Sequence, residues 1–320
     1  MINNYIKITV ITPTFNRANF LPKTIESILN QTYSNFEYYI LDDGSTDNTK
    51  EVVEPYLKDE RVKYLYHKNV GEPETVNWGW SLAKGEYFTQ INSDDIVTNN
   101  LFEEMVKAMD SNKDKVLAYP DFYLIDEDDN IIGEANYPDW DFISALSKFA
   151  CYPAAVGTFI RKKSFKNWNK LRTNKYKHIN DNEMYWDMAL EGDFLHIPLK
   201  LGSWRIHKNQ ISFFRVDSIP EREQWHKYYF SKTNLPKKIT NIKNDVMKSI
   251  LEDNFEQIKK SNLSDETKYT LIVKEIDKYI KLVNSNKNIT TNNKVFSISK
   301  DRNFLVIVIF GIKLSIKVKN

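Results

Sequence analysis

Four short polar segments recur in the first 95 residues, each at or near the end of an apolar run rich in Ile, Val and Tyr. They are Thr12-Pro13-Thr14-Phe15-Asn16-Arg17, Leu41-Asp42-Asp43-Gly44-Ser45-Thr46-Asp47, Asn69-Val70-Gly71 and Asn92-Ser93-Asp94-Asp95. Short apolar runs with many β-branched residues, bounded by polar residues, are typical of buried strands. The segments are therefore predicted to lie at the carboxyl ends of successive strands. Ligands bind at this edge of an open α/β sheet, so the segments predict a binding site there.

Helical patterns lie between these apolar runs. The apolar residues of 21–29 recur at helical spacing, and Pro73 is suited to the first turn of a later helix. Ser45 or Thr46 is expected to cap a helix that continues to about Leu57. Strands that alternate with helices of 10–15 residues predict an α/β fold, with a mainly parallel, Rossmann-like sheet flanked by helices on both faces.

The pattern changes along the second half of the chain. A strand is expected at 116–119 and a hairpin with an acidic turn at 122–132, whereas 219–283 has the spacing of amphipathic helices. Residues 285–293 are polar and suggest a linker, and the alternation that follows them predicts a terminal β-hairpin. The predicted division is residues 1–218 for the α/β domain, 219–290 for a C-terminal helical region and 291–320 for a hairpin tail.

Composition narrows the classes of protein to be considered. The net charge of +2 over 320 residues argues against a nucleic-acid partner. The single cysteine, Cys151, excludes an intrachain disulfide and fits a reducing compartment. The first residues lack the basic and apolar regions of a signal peptide, and no apolar run reaches the ~18–20 residues that span a membrane. The chain is therefore expected to be cytoplasmic.

The acidic residues of the second and fourth segments suggest the ligand. Asp94 and Asp95 are adjacent carboxylates that would repel each other without a cation, and hard oxygen ligands suit Mg²⁺ or Mn²⁺. Such an ion would bridge a diphosphate and neutralise its charge as it leaves. Asp42 and Asp43 can accept hydrogen bonds from a base or a ribose. The alternative is a capping role for the first pair and an ordinary turn for the second; the ordered series favours a nucleotide and a metal.

The whole series resembles the family 2 glycosyltransferases, whose fold is called GT-A. Their pattern continues with a small residue followed by Arg-Asn, then K-G-[ED]-[YF] and D-x-D-D. Here these appear as Val76-Asn77, Lys84-Gly85-Glu86-Tyr87 and Asn92-Ser93-Asp94-Asp95. The family also has a later helix that begins with Glu-Asp, followed by an Arg-x-His motif. In this chain, the stretch that starts at Asn180-Asp181 resembles the first, and Arg205-Ile206-His207 resembles the second. The resemblance covers residues 6 to about 215.

This resemblance implies a metal-dependent, inverting transfer of a sugar from a nucleotide-sugar to a glycan or lipid-linked acceptor, in surface polysaccharide biosynthesis. UDP is the default nucleotide, because uridine donors dominate the resemblance. Asp181 would be the general base that removes the proton of the acceptor hydroxyl. Mn²⁺ or Mg²⁺ would be held by Asp94, Asp95 and His207. The donor would lie against Pro13, Thr14, Asn16, Arg17, Asp42, Asp43, Asn69, Asn77, Asn92, Ser93 and Asp94.

Three positions depart from the family pattern. Asn92 replaces the first acid of D-x-D-D, Asn180 replaces the Glu before the expected base, and Val76 replaces the usual Arg, so that one polar contact is missing. If the helix register is shifted by two residues, Glu183 becomes the base.

Two other functional readings remain open at this point. The first is a catalytically degenerate member that binds a glycan or nucleotide without transfer, which Asn92 and Asn180 favour. The second, a nucleotidyltransferase, is disfavoured because that class needs a Gly-rich loop after the first strand, and residues 12–17 contain no Gly.

The C-terminal tail has several basic residues beside its apolar run, namely Lys300, Arg302, Lys313, Lys317 and Lys319. It could rest on an anionic membrane, at the inner face where lipid-linked acceptors lie. It could equally pack on the helical region or form a subunit interface in a homo-oligomer.

Overall fold

The computed structural model describes residues 5–154, 156–166, 172–207 and 216–285, together with the backbone of 296–301, 304–309 and 312–317. The chain forms two compact units, one of Met1–Leu146 and Ala150–Ile211, the other of Ser147–Phe149 and Ser212–Asn320. The division into three regions predicted above stays a prediction.

A nine-stranded sheet is the centre of the first unit. Its first four strands are parallel neighbours, and they are β1 (Ile8–Thr14), β2 (Phe36–Asp42), β3 (Val62–Tyr66) and β4 (Tyr87–Ile91), in the order β3-β2-β1-β4. Every residue of β1, β2 and β4 is buried, as expected for parallel strands covered on both faces. The carboxyl ends of these strands therefore meet at one edge.

The remaining strands continue the sheet beyond β4. They are β5 (Ile96–Val97), β6 (Leu117–Ile125), β7 (Ile131–Ala135), β8 (Val156–Arg161) and β9 (Phe194–Arg205). Strand β8 is antiparallel to both β4 and β6, whereas β6 and β9 are parallel, and β5 and β7 add antiparallel pairs.

Helices cover both faces of this sheet. They are α1 (Leu21–Leu29), α2 (Thr49–Val53), α3 (Glu72–Leu82), α4 (Leu101–Ser111), α5 (Phe142–Ser147) and α6 (Asn180–Glu191). Apolar residues of α1 and α4 share one core cluster with alternate sheet residues, and those of α3 and α6 share a second cluster. The predicted α/β class, with a mainly parallel sheet between helices, is confirmed.

Two local predictions are wrong. Neither Ser45 nor Thr46 caps α2, which begins only at Thr49 with Asn48 at the N-cap position; the Ser45 hydroxyl instead accepts a hydrogen bond from the Asn16 N–H at 2.9 Å. The strand expected at 116–119 and the first strand of the hairpin expected at 122–132 are also one continuous strand, β6, whereas the hairpin itself is confirmed, because β6 and β7 pair antiparallel on either side of the acidic turn. The sheet passes Pro120 by a register shift against β9, which accommodates the missing N–H.

The second unit is helical, as predicted, and ends in a small sheet. Its helices are α7 (Ile219–Tyr229), α8 (Lys237–Thr240), α9 (Lys243–Lys260) and α10 (Asp265–Ser285). The terminal strands form an antiparallel sheet of three rather than a two-stranded hairpin, namely β10 (Phe296–Asp301), β11 (Phe304–Ile309) and β12 (Ile312–Lys317). Residues 286–293 of the predicted linker lie outside the described residues. In the described part of the chain, no helix has the length and apolar character required to cross a membrane.

Candidate active site

The loop after β1 is fastened to the loop after β2 by Asn16. This residue has a left-handed backbone, with φ of 52°. Its side-chain oxygen accepts hydrogen bonds from the N–H groups of Thr46 at 2.8 Å and Asp47 at 3.3 Å. Pro13 and Thr14 are the buried last residues of β1. The first two polar segments therefore form one continuous surface at the edge of the sheet.

The two carboxylates that end β2 are buried and hold neighbouring loops. Asp42 is 1% exposed and accepts hydrogen bonds from the Ser45 N–H at 2.7 Å and the Tyr64 hydroxyl at 2.5 Å. Burial and the hydrogen bond to Asp42 raise the pKa of Tyr64, which keeps the phenol a donor. Asp43 accepts from the N–H groups of Val70 at 2.7 Å and Gly71 at 3.0 Å. The third segment is therefore fixed to the second by a carboxylate.

Gly44 lies where these two segments cross. Its φ is +81°, and a Cβ atom at this position would lie 2.6 Å from the backbone nitrogen of Asn69. Asn69 itself is exposed. Only glycine combines this backbone conformation with so close an approach.

The adjacent acids Asp94 and Asp95 differ sharply in environment. Asp95 is fully buried, and its two oxygens accept from the Arg205 N–H at 2.9 Å and the Asn92 side chain at 3.3 Å. Burial first, and the charge of Asp94 second, raise its pKa well above the usual range. The side chain of Asp94 is 17% exposed, with one oxygen 3.0 Å from His207 Nε2 and 3.6 Å from Arg17 Nε. Ser93, just before them, is buried.

Arg205 fixes the position of this acidic loop. Its Nε donates to the carbonyl of Asp94 at 2.8 Å, and its Nη1 donates to the carbonyl of Asp126 at 2.7 Å. The guanidinium also lies 2.5 Å from a carboxylate oxygen of Asp129, in the acidic turn between β6 and β7. Arg205 is 1% exposed, so its role is to hold the two turns together.

The Asp94 and His207 side chains fit one divalent cation. A carboxylate oxygen and an imidazole nitrogen are a ligand pair that Mn²⁺ accepts. No group of three or more His, Cys, Asp or Glu side chains suited to a metal occurs among the residues described. Small hard cations often take only one or two protein ligands, with water and substrate phosphates completing the shell. The assignment of Asp95 as a third ligand stays a prediction, although both its oxygens already accept protein hydrogen bonds.

The expected base stands at the first turn of α6. Asp181 is partly exposed, whereas Glu183, the alternative, is 7% exposed. One Asp181 oxygen accepts from the Asn182 N–H at 2.8 Å. A carboxylate in this position also stabilises the helix N-terminus. The difference in exposure favours Asp181 over Glu183 as a group that meets substrate.

Two of the three departures from the motif pattern, Val76 and Asn180, have surroundings that the sequence did not suggest. Val76 is fully buried in apolar surroundings. Next to it, Asn77 binds the backbone of Arg172, donating to its carbonyl at 2.9 Å and accepting from its N–H at 3.0 Å. Asn180 accepts a hydrogen bond from the Arg172 guanidinium. No sequence motif includes Arg172. The only signal that pointed to it was the absence of the family's usual arginine at position 76, where this chain has Val76.

Several aromatic side chains pack against the core cluster that includes α6, the helix of Asp181. Tyr137, Trp140, Phe142 and Tyr152 are partly buried and pack against the same cluster as the apolar residues of α6. Burial first and the charge of Asp181 second raise the pKa of the Cys151 thiol, the residue before Tyr152. Trp140 and Phe142 each stack on Trp186 of α6, with ring centroids 6.3 Å apart, so the aromatic side chains adjoin the helix that carries Asp181.

Comparison with known families agrees with this arrangement. The family described as Glycosyl transferase family 2 matches residues 9–190. The chain belongs to this family. A curated relative, the glycosyltransferase GlyG of Streptococcus pneumoniae, is 40% identical over 124 residues, which are 38% of this chain. That match spans 41% of the length of GlyG.

Solved structures show that this family 2 chain shares its fold with other glycosyltransferases. The structure of S. aureus TarS in complex with UDP-GlcNAc aligns with a TM-score of 0.64 at 14% identity, over 98% of this chain and 100% of that one. The mannosyltransferase PcManGT of Pyrobaculum calidifontis, in complex with GDP-Man and Mn²⁺, aligns with a TM-score of 0.56 at 13% identity, over 86% and 81%.

Proposed function

We propose that the chain is a metal-dependent, inverting glycosyltransferase that moves a sugar from a nucleotide-sugar, with UDP as the default nucleotide, to a glycan or lipid-linked acceptor. The observation that supports this most directly is the Asp94 and His207 pair, 3.0 Å apart beside Arg17 at the ligand edge of the sheet. The UDP-GlcNAc of TarS and the GDP-Man and Mn²⁺ of PcManGT support the same substrate class.

The nucleoside is proposed to lie on the surface formed by the loops after β1 and β2. Pro13, Thr14 and Arg17 line the first loop, and Asn16 fastens it to the second. Asp42 and Asp43 act mainly by holding these loops, because their oxygens already accept hydrogen bonds from the protein. Arg17 stands closest to the acidic loop and is suited to the diphosphate.

The diphosphate is proposed to reach Asp94. A divalent cation held by Asp94 and His207 would neutralise charge on the departing diphosphate. The hydrogen bond between the Arg205 N–H and the buried Asp95 carboxylate holds the acidic loop, residues 92–95, in place.

Asp181 is proposed to be the general base. It takes the proton of the acceptor hydroxyl while that oxygen forms a bond to C1 of the donor sugar. The bond between C1 and the diphosphate breaks on the opposite face, and its electron pair leaves with the diphosphate. The acceptor sugar is proposed to stack on the partly buried aromatic side chains that pack against the same core cluster as α6.

The test is donor turnover across UDP-, GDP- and dTDP-sugars, with Mn²⁺ or with EDTA, for wild type and Asp181→Asn. We expect Mn²⁺-dependent turnover of one donor, and loss of a proton-accepting carboxylate should lower it by roughly 10²–10⁴-fold. Binding of the matching nucleoside diphosphate should persist. Asp187→Asn, the same change later in α6, should keep wild-type turnover.

Three outcomes would count against this function. If no nucleotide-sugar binds, the proposed function is overturned. Equal turnover in EDTA and in Mn²⁺ would exclude a role for the metal in the reaction. Binding without turnover, even when a panel of glycan and lipid-linked acceptors is added, would favour the degenerate binding module. A role in surface polysaccharide synthesis and membrane contact or self-association through the tail stay predictions.

A further inference from the structure

A buried arginine outside every motif lies between the acidic loop and the base. Arg172 is 7% exposed, and Asn77 holds its backbone through the pair of hydrogen bonds described above. The backbone of Arg172 is fixed by Asn77, and its guanidinium is held by hydrogen bonds of its own. Its position is therefore set by α3, an element nearly a hundred residues away in the chain.

The guanidinium of Arg172 donates hydrogen bonds to α6 on one side and to β4 on the other. Its Nη1 donates to the side-chain oxygen of Asn180, the first residue of α6. Its Nη2 donates to Gln90 Oε1 at 3.2 Å, near the end of β4. Gln90 Nε2 then donates to Asn92 Oδ1 at 3.0 Å.

The last step of this path reaches the acidic loop, since Asn92 Nδ2 donates to Asp95 Oδ2 at 3.3 Å. An unbroken series of hydrogen bonds therefore joins the residue before Asp181 to the residue after Asp94. Each link is a side-chain amide, a carboxylate or a guanidinium, groups whose planar shape restricts direction as well as distance.

The charge of Arg172 is maintained in this buried place by its surroundings. Its Nη2 lies 3.7 Å from a carboxylate oxygen of Glu72. Burial acts to lower the pKa of the guanidinium, but the charges of Glu72 and Asp181 outweigh it and the pKa is raised. The planar guanidinium carries its donors at fixed angles, a geometry that the ammonium group of lysine does not reproduce.

We propose that Arg172 is a positioning residue that sets the distance and angle of Asp181 relative to the donor loop at Asp94. It acts through Asn180 on one side and through Gln90 and Asn92 on the other. This inference rests on the proposed transferase function, because it assigns a role in that same reaction.

Arg172→Ala tests the proposal, with turnover of the donor that wild type uses as the readout. Displacing a reacting group by about 1 Å costs roughly 100-fold in rate, so we expect kcat to fall by about that factor. The affinity for the matching nucleoside diphosphate should stay at the wild-type value, because the loops after β1 and β2 are untouched. Millimolar guanidinium chloride should restore part of kcat by filling the vacated site. Arg172→Lys should fall between wild type and Arg172→Ala.

The control is Arg61→Ala, which removes an arginine paired with Asp59 at the surface. It should show wild-type kcat and no response to guanidinium. If Arg172→Ala does not fold, Gln90→Leu breaks the same path and should lower kcat while nucleotide binding persists.

Each result decides the matter. Wild-type kcat in Arg172→Ala, or equal losses of kcat and nucleotide affinity without guanidinium rescue, would overturn the positioning role and leave the transferase intact. Absence of turnover in wild type with every donor and acceptor would overturn the proposed function, and the positioning role with it.

Discussion

Two pairs of carboxylates, Asp42 with Asp43 and Asp94 with Asp181, have opposite environments. Asp42 ends β2 and Asp43 follows it; both are buried and accept hydrogen bonds from neighbouring loops. Asp94 and Asp181, the proposed cation ligand and the proposed base, are partly exposed. The difference shows that a carboxylate in a binding motif can build the loop or meet the ligand. Burial and existing partners distinguish the two.

The same contrast recurs between neighbours in the chain. Asp94 is 3.0 Å from His207, whereas Asp95 accepts a hydrogen bond from the Arg205 N–H. The Asp95 N–H donates to the Asn92 carbonyl at 3.2 Å, so these residues form a turn in which the Asp94 side chain is partly exposed and the Asp95 side chain is buried. The predictions below separate residues that meet the ligand from residues that hold loops.

The largest effect is expected at the open carboxylate. Asp94→Asn removes the charged ligand of the proposed cation, and several kcal/mol of charge stabilisation should be lost, so transfer should fall by about 100-fold or more. Calorimetric titration of Mn²⁺ in the presence of UDP should show weakened metal binding, with the melting temperature little changed.

Two comparisons sharpen this result. Asp128→Asn, in an exposed turn, should leave both transfer and Mn²⁺ binding at wild-type values. Asp95→Asn should lower the melting temperature, because an amide N–H₂ would face the Arg205 N–H. If Asp94→Asn binds Mn²⁺ as tightly as wild type, Asp94 is not a ligand of the cation.

The next effect is expected where loops cross. Gly44→Ala would force a left-handed backbone on alanine and push its Cβ to 2.6 Å from the Asn69 nitrogen. Strain of this kind costs about 1–3 kcal/mol before the clash is added. We expect a lower free energy of unfolding in urea and a higher donor KM, because the second and third segments must separate.

Gly71→Ala is the matched control. Gly71 also has a positive φ, of +96°, but the nearest atom to an added Cβ is 3.9 Å away. It should show the backbone strain without the clash, and a smaller rise in KM. Equal effects at both positions would show that the close crossing at Gly44 does not matter.

The smallest effect is expected at a loop-holding carboxylate. Asp43→Asn retains the shape but replaces one acceptor oxygen with a donor that faces a backbone N–H, and an unsatisfied buried group costs about 1–3 kcal/mol. Urea unfolding should show this loss, with kcat nearly unchanged. A large fall in kcat with unchanged stability would mean that Asp43 meets substrate directly.

Much of this arrangement followed from local patterns. The apolar runs that end in Thr12-Pro13 and Leu41-Asp42 predicted parallel strands, because buried strands have a short and recognisable composition. Arg172 could not be found in this way. Its partners Asn77, Gln90 and Asn180 come from elements far apart in the chain, and no spacing rule relates them.

The sequence by itself determined the fold class, the edge of the sheet where polar groups gather, and the family. These follow from periodicity and from motifs that are contiguous along the chain. Only the tertiary structure decided that Asp94 is partly exposed and Asp95 buried, and that Arg172 links Asn180, the residue before Asp181, to the Asn92–Asp95 turn. Exposure and hydrogen-bond partners depend on which distant elements pack against a residue, and that packing is a property of the folded chain.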